Sequence, residues 1–190
     1  MKHQTRYFRP HGGAPNSAAA IVSEVARLAD GGRPEQALHL LSTANLYTDA
    51  TRNARGVCLL RLNRTDDAVR TLRTLVLPAN CTWMKPELPV VYRTNFITAL
   101  LLARQPGGGE ELIVQMPEQD HPSVIRLREA MQCWVHELSW WQWLNWKPGL
   151  IPDVPVSLNF VPGEFFDPVV PQSTAPLQVV THDGAKTQAV

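Results

Sequence analysis

The sequence has few cysteines, and their spacing gives no sign of a metal or redox site. Its 190 residues include three cysteines, Cys58, Cys81 and Cys133, and none forms the Cys-x-x-Cys pair that binds zinc or carries redox chemistry. The six histidines are scattered along the chain. We therefore expect no metal and no cofactor. Cys58 and Cys133 lie in apolar helical patterns, which predicts that both are buried.

The sequence also lacks an excess of charge and a long apolar run. Eighteen basic and 17 acidic side chains give a net charge of +1, whereas a chain that binds nucleic acid through phosphates carries a basic excess. The most apolar stretch, residues 96–103, is far shorter than the roughly 20 residues that span a bilayer. Residues 1–8 contain no apolar run typical of a signal peptide. We expect a cytoplasmic protein with no nucleic-acid partner and no integral membrane segment.

No pattern of catalytic residues stands out. Glycines 107–109 precede Glu110 and Glu111, whereas a phosphate-binding loop needs a Lys-Ser/Thr pair after its glycines. No serine or cysteine has a recognisable base partner, so we predict no catalytic residues. One enzymatic alternative stays open, because sites are assembled from distant residues. It is a site at the junction of the body and the C-terminal tail, around His121, His136 and Glu137.

The sequence does contain a repeated helical hairpin pattern. Ala37 follows Val25 at the same distance along the chain at which Ala68 follows Gly56, and the sequence between the two members of each pair contains a turn. A hairpin of this size cannot bury its own apolar face, so such units stack on one another. A third copy is predicted with Leu100 aligned to Gly56 and its turn at glycines 107–109. The interval from the second copy to the third is then longer than the interval from the first to the second.

Capping and breaking residues divide the chain into three parts. Residues 1–16 are predicted to be an extended arm and residues 17–147 a helical domain. Residues 148–190 are predicted to be an extended, proline-rich docking tail. Ser17 is a good N-cap, and Pro34 favours the first turn of the second helix. A proline-rich loop at residues 78–89 interrupts the repeats. One long closing helix is predicted from His121 to Trp146.

The second hairpin carries a family resemblance. Gly56, Leu59, Ala68, Leu72 and Pro78 fall at or near signature positions, and residues 49–78 resemble a tetratricopeptide repeat. Residues 18–48 and 90–118 resemble degenerate copies, although the family's early tryptophan is absent. The resemblance implies an all-α solenoid with a concave peptide-binding groove. The implied groove residues are Asn53, Val57, Leu60, Arg61, Ile97, Leu101 and Arg104.

This implied groove lining is mostly apolar. It suits an extended segment held by side-chain packing, with Asn53 and Arg61 fixing the backbone of that segment. The alternative is that the same residues pack against neighbouring helices of the domain.

Five of the six tryptophans lie in the predicted closing helix. At 100° per residue, Trp134, Leu138 and Trp141 share the face that would pack on the repeats, whereas Trp143 and Trp146 project elsewhere. These rings need cover from the apolar tail or from a protein partner. Peripheral contact with a membrane surface is the weaker alternative. The predicted assembly surface comprises Trp140, Trp143, Trp146, Leu158, Phe160, Phe165 and Phe166.

Together these features favour a non-catalytic protein–protein interaction module. We expect an adaptor or accessory subunit of a larger assembly, which binds partners through the groove, the tryptophan-rich helix and the extended arms. A chaperone that holds a client segment in the groove is the first alternative, and the enzyme described above is the second.

Overall fold

The structure is a computed structural model that describes residues 17–146, 152 and 154–168. The predicted arm at residues 1–16 lies outside the described residues. So do residue 147, the last of the predicted helical domain, and residues 148–151, 153 and 169–190 of the predicted tail. The described part of the chain contains eight α-helices and no strand, which confirms the predicted all-α class. The helices are α1 (Ala18–Asp30), α2 (Pro34–Ala44), α3 (Asp49–Arg61), α4 (Thr65–Val76), α5 (Val90–Leu102), α6 (Pro106–Gln115), α7 (Pro122–Glu137) and α8 (Trp140–Trp146).

Local signals set most helix starts. The side chain of Ser17 accepts a hydrogen bond from the backbone N–H of Ala20 at 3.2 Å and caps α1 as predicted. Pro34 is the first residue of α2, where its missing N–H costs nothing. The N-cap of α3 is Thr48, which forms a reciprocal capping box with Thr51. No helix lies between α4 and α5, which agrees with the predicted loop.

The helix pairs α1–α2, α3–α4 and α5–α6 share one turn geometry. In each turn one residue has a left-handed backbone, namely Gly32, Asn63 and Arg104 with φ of 74°, 55° and 58°. The next residue donates its backbone N–H to a leucine carbonyl at 2.9 Å in all three turns. These pairs are Arg33 to Leu28, Arg64 to Leu59 and Gln105 to Leu100. The three turns are therefore equivalent, and the second interval between them is the longer one because it includes the loop between α4 and α5.

The predicted register of the third hairpin is wrong by three positions. Ile97, and not Leu100, is the equivalent of Gly56. Glycines 107–109 lie within α6, because Pro106 favours the first helical position and starts the helix before them. A Cβ atom on Gly109 would lie 2.5 Å from Cδ2 of Leu101, so the glycine allows α6 to approach α5 closely.

Successive helix pairs pack side by side along the chain. Helices α1 and α2 contact α3, α4 contacts α5, and α7 covers α5 and α6. One buried cluster joins α1, α2 and α3 and includes Phe165. A second cluster extends from α3 to α8 and includes Val156. Residues 154–168 contain no helix or strand, and they contribute side chains to both clusters.

The predicted closing helix is two helices, and its tryptophans are arranged differently from the prediction. The helix breaks before Ser139, because Ser139 and Gln142 form a reciprocal cap that starts α8. Trp146 is consequently buried, and its ring packs edge-on against Trp134 at 5.0 Å between centroids. Trp141, predicted to pack on the repeats, is 59% exposed.

A second burial prediction also differs from the structure. Cys58 is buried as predicted, whereas Cys133 is exposed. Both lie in apolar stretches, but Cys133 is on the face of α7 that points away from the core.

Candidate functional site

A groove across α3, α5 and α7 holds residues 154–168, which form neither helix nor strand. Asn95 on α5 is 2% exposed and pairs with both backbone polar groups of Glu164. Its Nδ2 donates to the Glu164 carbonyl at 2.7 Å, and its Oδ1 accepts the Glu164 N–H at 2.9 Å. Asn53 on α3 accepts a second hydrogen bond from Asn95 Nδ2 at 2.9 Å. Asn95, positioned by Asn53, therefore binds both the N–H and the C=O of one residue, which is how a residue in a neighbouring β-strand would pair with it.

Arg61, near the C-terminal end of α3, binds the next two carbonyls upstream. Its Nε donates to the Pro162 carbonyl at 2.8 Å and its Nη2 donates to the Gly163 carbonyl at 3.0 Å. Asp30 lies 3.3 Å from the same Nη2 and helps to hold the guanidinium in place. The Arg61 guanidinium also lies 6.0 Å from the centroid of the Phe165 ring. One arginine thus contacts three parts of the bound segment.

The side chain of Glu164 is held by α7. Ser123 Oγ donates to Glu164 Oε2 at 2.5 Å, and Arg126 donates to the other carboxylate oxygen. Charge-assisted hydrogen bonds of this kind are about twice as strong as neutral ones. The Arg126 guanidinium also lies 5.3 Å from the ring centroid of Phe160. The carboxylate is therefore a recognised feature of the segment and not a solvated charge.

Gly163 and Phe165 fit the floor of the groove. Gly163 has φ of +82°, and a Cβ atom there would lie 3.0 Å from Val57 Cγ1 and 3.3 Å from Leu60 Cδ1. Phe165 is buried in the cluster formed with Val25 and Ala54. The neighbouring Phe166 is 56% exposed. The floor thus accepts a residue without a side chain and, two positions later, an aromatic ring.

Two further contacts hold the ends of the segment. At one end, Trp134 Nε1 donates to the Val154 carbonyl at 2.9 Å. At the other end, Asp167 Oδ1 accepts the backbone N–H of Val91 at 3.1 Å. Val91 lies in the first turn of α5, where backbone N–H groups have no partner within the helix. The N-cap residue Pro89 makes no capping hydrogen bond from its side chain, so Asp167 serves as a cap from the distant segment.

The structure places the predicted groove residues in three settings. Asn53 and Arg61 bind the segment, and Val57 and Leu60 form the floor beneath Gly163. Ile97 and Leu101 are fully buried where α5 meets Gly109, and Arg104 lies in the turn between α5 and α6.

The predicted assembly surface is divided between core and solvent. Trp146 and Phe165 are buried, and Leu158 and Phe160 pack partly buried against the core. Trp140 and Phe166 are exposed, and Trp143 is 44% exposed. The Trp140 and Trp141 rings lie 4.1 Å apart. Together with Leu144, the exposed tryptophans of α8 form an apolar surface, which we call the α8 surface: Trp140, Trp141, Trp143 and Leu144.

Sequence reasoning missed the residues that bind the segment from α5 and α7. They are Asn95, Ser123 and Arg126. A signal for Asn95 is present, because Arg93, Thr94 and Asn95 are three consecutive polar residues in a largely apolar helix. All three are buried, and buried polar groups require hydrogen-bond partners. Ser123 and Arg126 carry no comparable signal, since both lie in an ordinary amphipathic helix.

The residues of the predicted enzymatic alternative are not brought together. His121 precedes α7, whereas His136 and Glu137 are exposed at the other end of this helix. Sixteen helical residues span about 24 Å, which is too far for one reaction centre. Among the described residues, no group of three or more histidine, cysteine or acidic side chains could hold a metal ion.

In the part of the chain that the structure describes, no helix has the length and apolar character that crossing a bilayer requires. Comparison with protein-family models, with curated proteins and with solved structures finds no match to this chain.

Proposed function

We propose that this chain is a non-catalytic protein-interaction subunit, built as a tetratricopeptide-like solenoid whose concave face binds an extended peptide. Its own residues 154–168 occupy that face. The observation that carries the proposal is the two-point contact between Asn95 and the backbone of Glu164. Backbone recognition of this type holds an extended ligand largely independently of its sequence, and side-chain pockets then add specificity.

Two further features support the solenoid. The shared turn geometry relates three consecutive helix pairs, and each pair packs on the next. Glycine lies where the helices of a pair approach closely, as at Gly56 and Gly109. Stacked helix pairs of this kind produce a continuous concave surface.

The occupied groove also separates this proposal from the chaperone alternative. A chaperone needs an open apolar surface between clients. Here the floor residues Val57 and Leu60 are buried beneath the chain's own segment. A client would have to displace hydrogen bonds from six side chains, which favours a selective partner over a broad range of unfolded clients. These side chains are Asn53, Arg61, Asn95, Ser123, Arg126 and Trp134.

The experiment that tests the groove leaves all residues in place. A protease site is inserted between residues 147 and 153, and the linker is cut after folding. A fluorescent peptide of residues 154–168 is then added and followed by anisotropy. We expect the peptide to exchange with the bound segment, and a scrambled peptide of the same composition to remain free. If the cut segment stays bound and no labelled peptide enters, the groove is a fixed part of the core and the proposal is wrong.

The α8 surface supports a second contact point with an assembly. It places three exposed tryptophans within one short helix, and exposed apolar patches of this kind mark interaction sites. The double variant Trp140→Ala/Trp141→Ala should weaken binding of partners that co-purify with the chain and leave the helical content unchanged. Unaltered partner recovery would exclude this surface from assembly.

A further inference from the structure

We propose that the groove selects segments with the sequence glycine, acidic residue, aromatic residue. Residues 163–165 would then be an internal competitor for a partner protein that carries such a sequence. This inference rests on the proposed function and adds the chemistry of the partner. The inference follows from three adjacent subsites of the groove, each of which contacts one residue of the segment.

The first subsite excludes side chains. Gly163 has a left-handed φ of +82°, and a Cβ atom would approach Val57 Cγ1 to 3.0 Å and Val57 Cα to 3.3 Å. The second of these atoms belongs to the backbone of α3, and no rotamer change moves it. A residue other than glycine is disfavoured twice, by its own backbone conformation and by the wall of α3.

The second subsite reads a carboxylate. The two oxygens of Glu164 have separate donors, Ser123 Oγ for one and Arg126 for the other. Ser123 is 4% exposed, so a segment without a carboxylate here would leave a buried donor without a partner. Loss of a partner for a buried donor costs more than the bond itself contributes.

The third subsite takes one aromatic ring. Phe165 is 7% exposed, and its ring is covered by α1 and α3 and by the Arg61 guanidinium. The adjacent Phe166 has the same side chain and is 56% exposed. The groove therefore distinguishes two consecutive phenylalanines by position alone. Because Asn95 fixes the backbone between the first and third subsites, the order of the three residues is fixed as well.

Competition with the internal segment determines the affinity that a partner needs in order to occupy the groove. The segment is joined to α8 by residues 147–153, and a short tether of this kind gives an effective concentration in the millimolar range. A partner peptide of equal intrinsic affinity is therefore excluded at micromolar concentration. Weakening the internal segment should expose the specificity of the groove.

The test uses the full chain with Gly163→Ala, which strains the internal segment and leaves the groove residues unchanged. The probe is a fluorescent peptide of residues 158–168 with the natural sequence. We expect the peptide to bind this variant about 5- to 30-fold more tightly than the natural chain, which corresponds to the ~1–2 kcal/mol cost of a left-handed alanine. Circular dichroism confirms that the variant is folded.

The peptide variants then test the subsites one by one. Replacement of the peptide's Glu164→Gln or Phe165→Ala should each weaken binding at least about tenfold, which corresponds to the loss of one buried contact. Phe166→Ala is the matched control and should change affinity by less than about twofold, because an exposed side chain contributes little.

The outcomes separate the two proposals. If the natural and variant peptides bind equally well, the sequence preference is wrong and the peptide groove stands. If no peptide binds to a folded Gly163→Ala chain, both proposals fail.

If Gly163→Ala does not fold, the chain with Glu164→Gln replaces it, since this change weakens the internal segment without backbone strain. A natural chain that forms a dimer by exchanging the segment would also overturn the inference, because the partner would then be a second copy.

Discussion

Asn95 and Glu164 lie 69 positions apart in the sequence and form two hydrogen bonds. The Glu164 carbonyl accepts one from the Asn95 side chain, and the Glu164 backbone N–H donates the other to it. The Asn95 side chain is buried and is oriented by Asn53, which accepts its second amide proton. This single contact connects the C-terminal segment to the centre of the helical body. Its loss should therefore affect both the stability of the fold and the occupancy of the groove.

Substitution of Asn95 tests that connection. Asn95→Ala would leave the backbone N–H of the partly buried Glu164 without its acceptor, so we expect the free energy of unfolding to fall by about 1–3 kcal/mol. Urea denaturation followed by circular dichroism measures the loss. Asn159→Ala is the control, because Asn159 lies in the same segment and is exposed. If Asn95→Ala lowered the free energy of unfolding no more than the control does, the segment would be held by apolar packing alone.

A pair of glycines tests the packing within the helix pairs. A Cβ atom on Gly56 would lie 2.5 Å from both Cγ and Cδ2 of the fully buried Leu72, so Gly56→Ala should overpack the second pair. Overpacking costs about 1–3 kcal/mol. On Gly108 the nearest atom to a Cβ would be 3.8 Å away. Gly108→Ala should instead stabilise α6 by up to about 1 kcal/mol, because alanine favours the helix. Thermal melts with shifts of the same sign would contradict this assignment.

The tryptophans of α7 and α8 should separate into structural and surface residues. Trp146 is buried against Trp134 and lies near Gly107, so Trp146→Ala should lower the free energy of unfolding by about 3 kcal/mol. Trp140 is 64% exposed, and Trp140→Ala should change this free energy by less than about 0.5 kcal/mol. Denaturation curves of both variants provide the measurement, and a larger loss for Trp140→Ala would show that α8 packs differently.

Acid should weaken the ion pair between α5 and the loop that follows α6. The buried Arg93 guanidinium donates to both carboxylate oxygens of Glu118, at 3.0 and 2.6 Å, and this lowers the pKa of Glu118 from 4.5. Since the folded pKa is below the unfolded one, the stabilisation is full above pH 4.5 and is lost as pH falls through the folded pKa.

The variant Glu118→Gln isolates this contribution. At pH 7 it should reduce the free energy of unfolding by about 1–3 kcal/mol, because Arg93 remains buried without a charged partner. The difference from the natural chain should shrink near pH 3. Glu129→Gln, at an exposed position on α7, is the control and should have little effect at either pH. A constant difference between pH 7 and pH 3 would contradict the pKa shift.

The three cysteines should react differently with a thiol reagent. Burial raises the pKa of Cys58 to about 12, and its side chain is inaccessible in the core of α3. Cys133 is exposed and Cys81 is partly exposed. Titration with a chromogenic disulfide at pH 8 should therefore detect two thiols in the native chain and three in denaturant. Detection of three thiols in the native chain would show that α3 opens.

The sequence by itself determined most of the helices, because the signals for a helix are local. Ser17, Pro34 and the prolines after α4 act within a few positions of their own place in the chain, and the apolar spacing identifies the buried face. The equal spacing of Val25 to Ala37 and of Gly56 to Ala68 made the first two helix pairs predictable, and in the structure the turn at Asn63 repeats the turn at Gly32. Asn53 and Arg61 were also predicted to bind the backbone of an extended segment, and in the structure they bind residues of the same chain.

Only the tertiary structure decided what fills the groove and which tryptophans are buried. The contacts of Glu164 with Asn95, Ser123 and Arg126 join residues 38 to 69 positions apart, and no local pattern encodes such distances. The break at Ser139 rotates Trp146 into the core, and the early start of α6 at Pro106 shifts the third hairpin by three positions. The cap at Ser139 and the proline at the start of α6 are local signals. The burial of Trp146 instead depends on its packing against Trp134, because removal of apolar surface from water stabilises that arrangement.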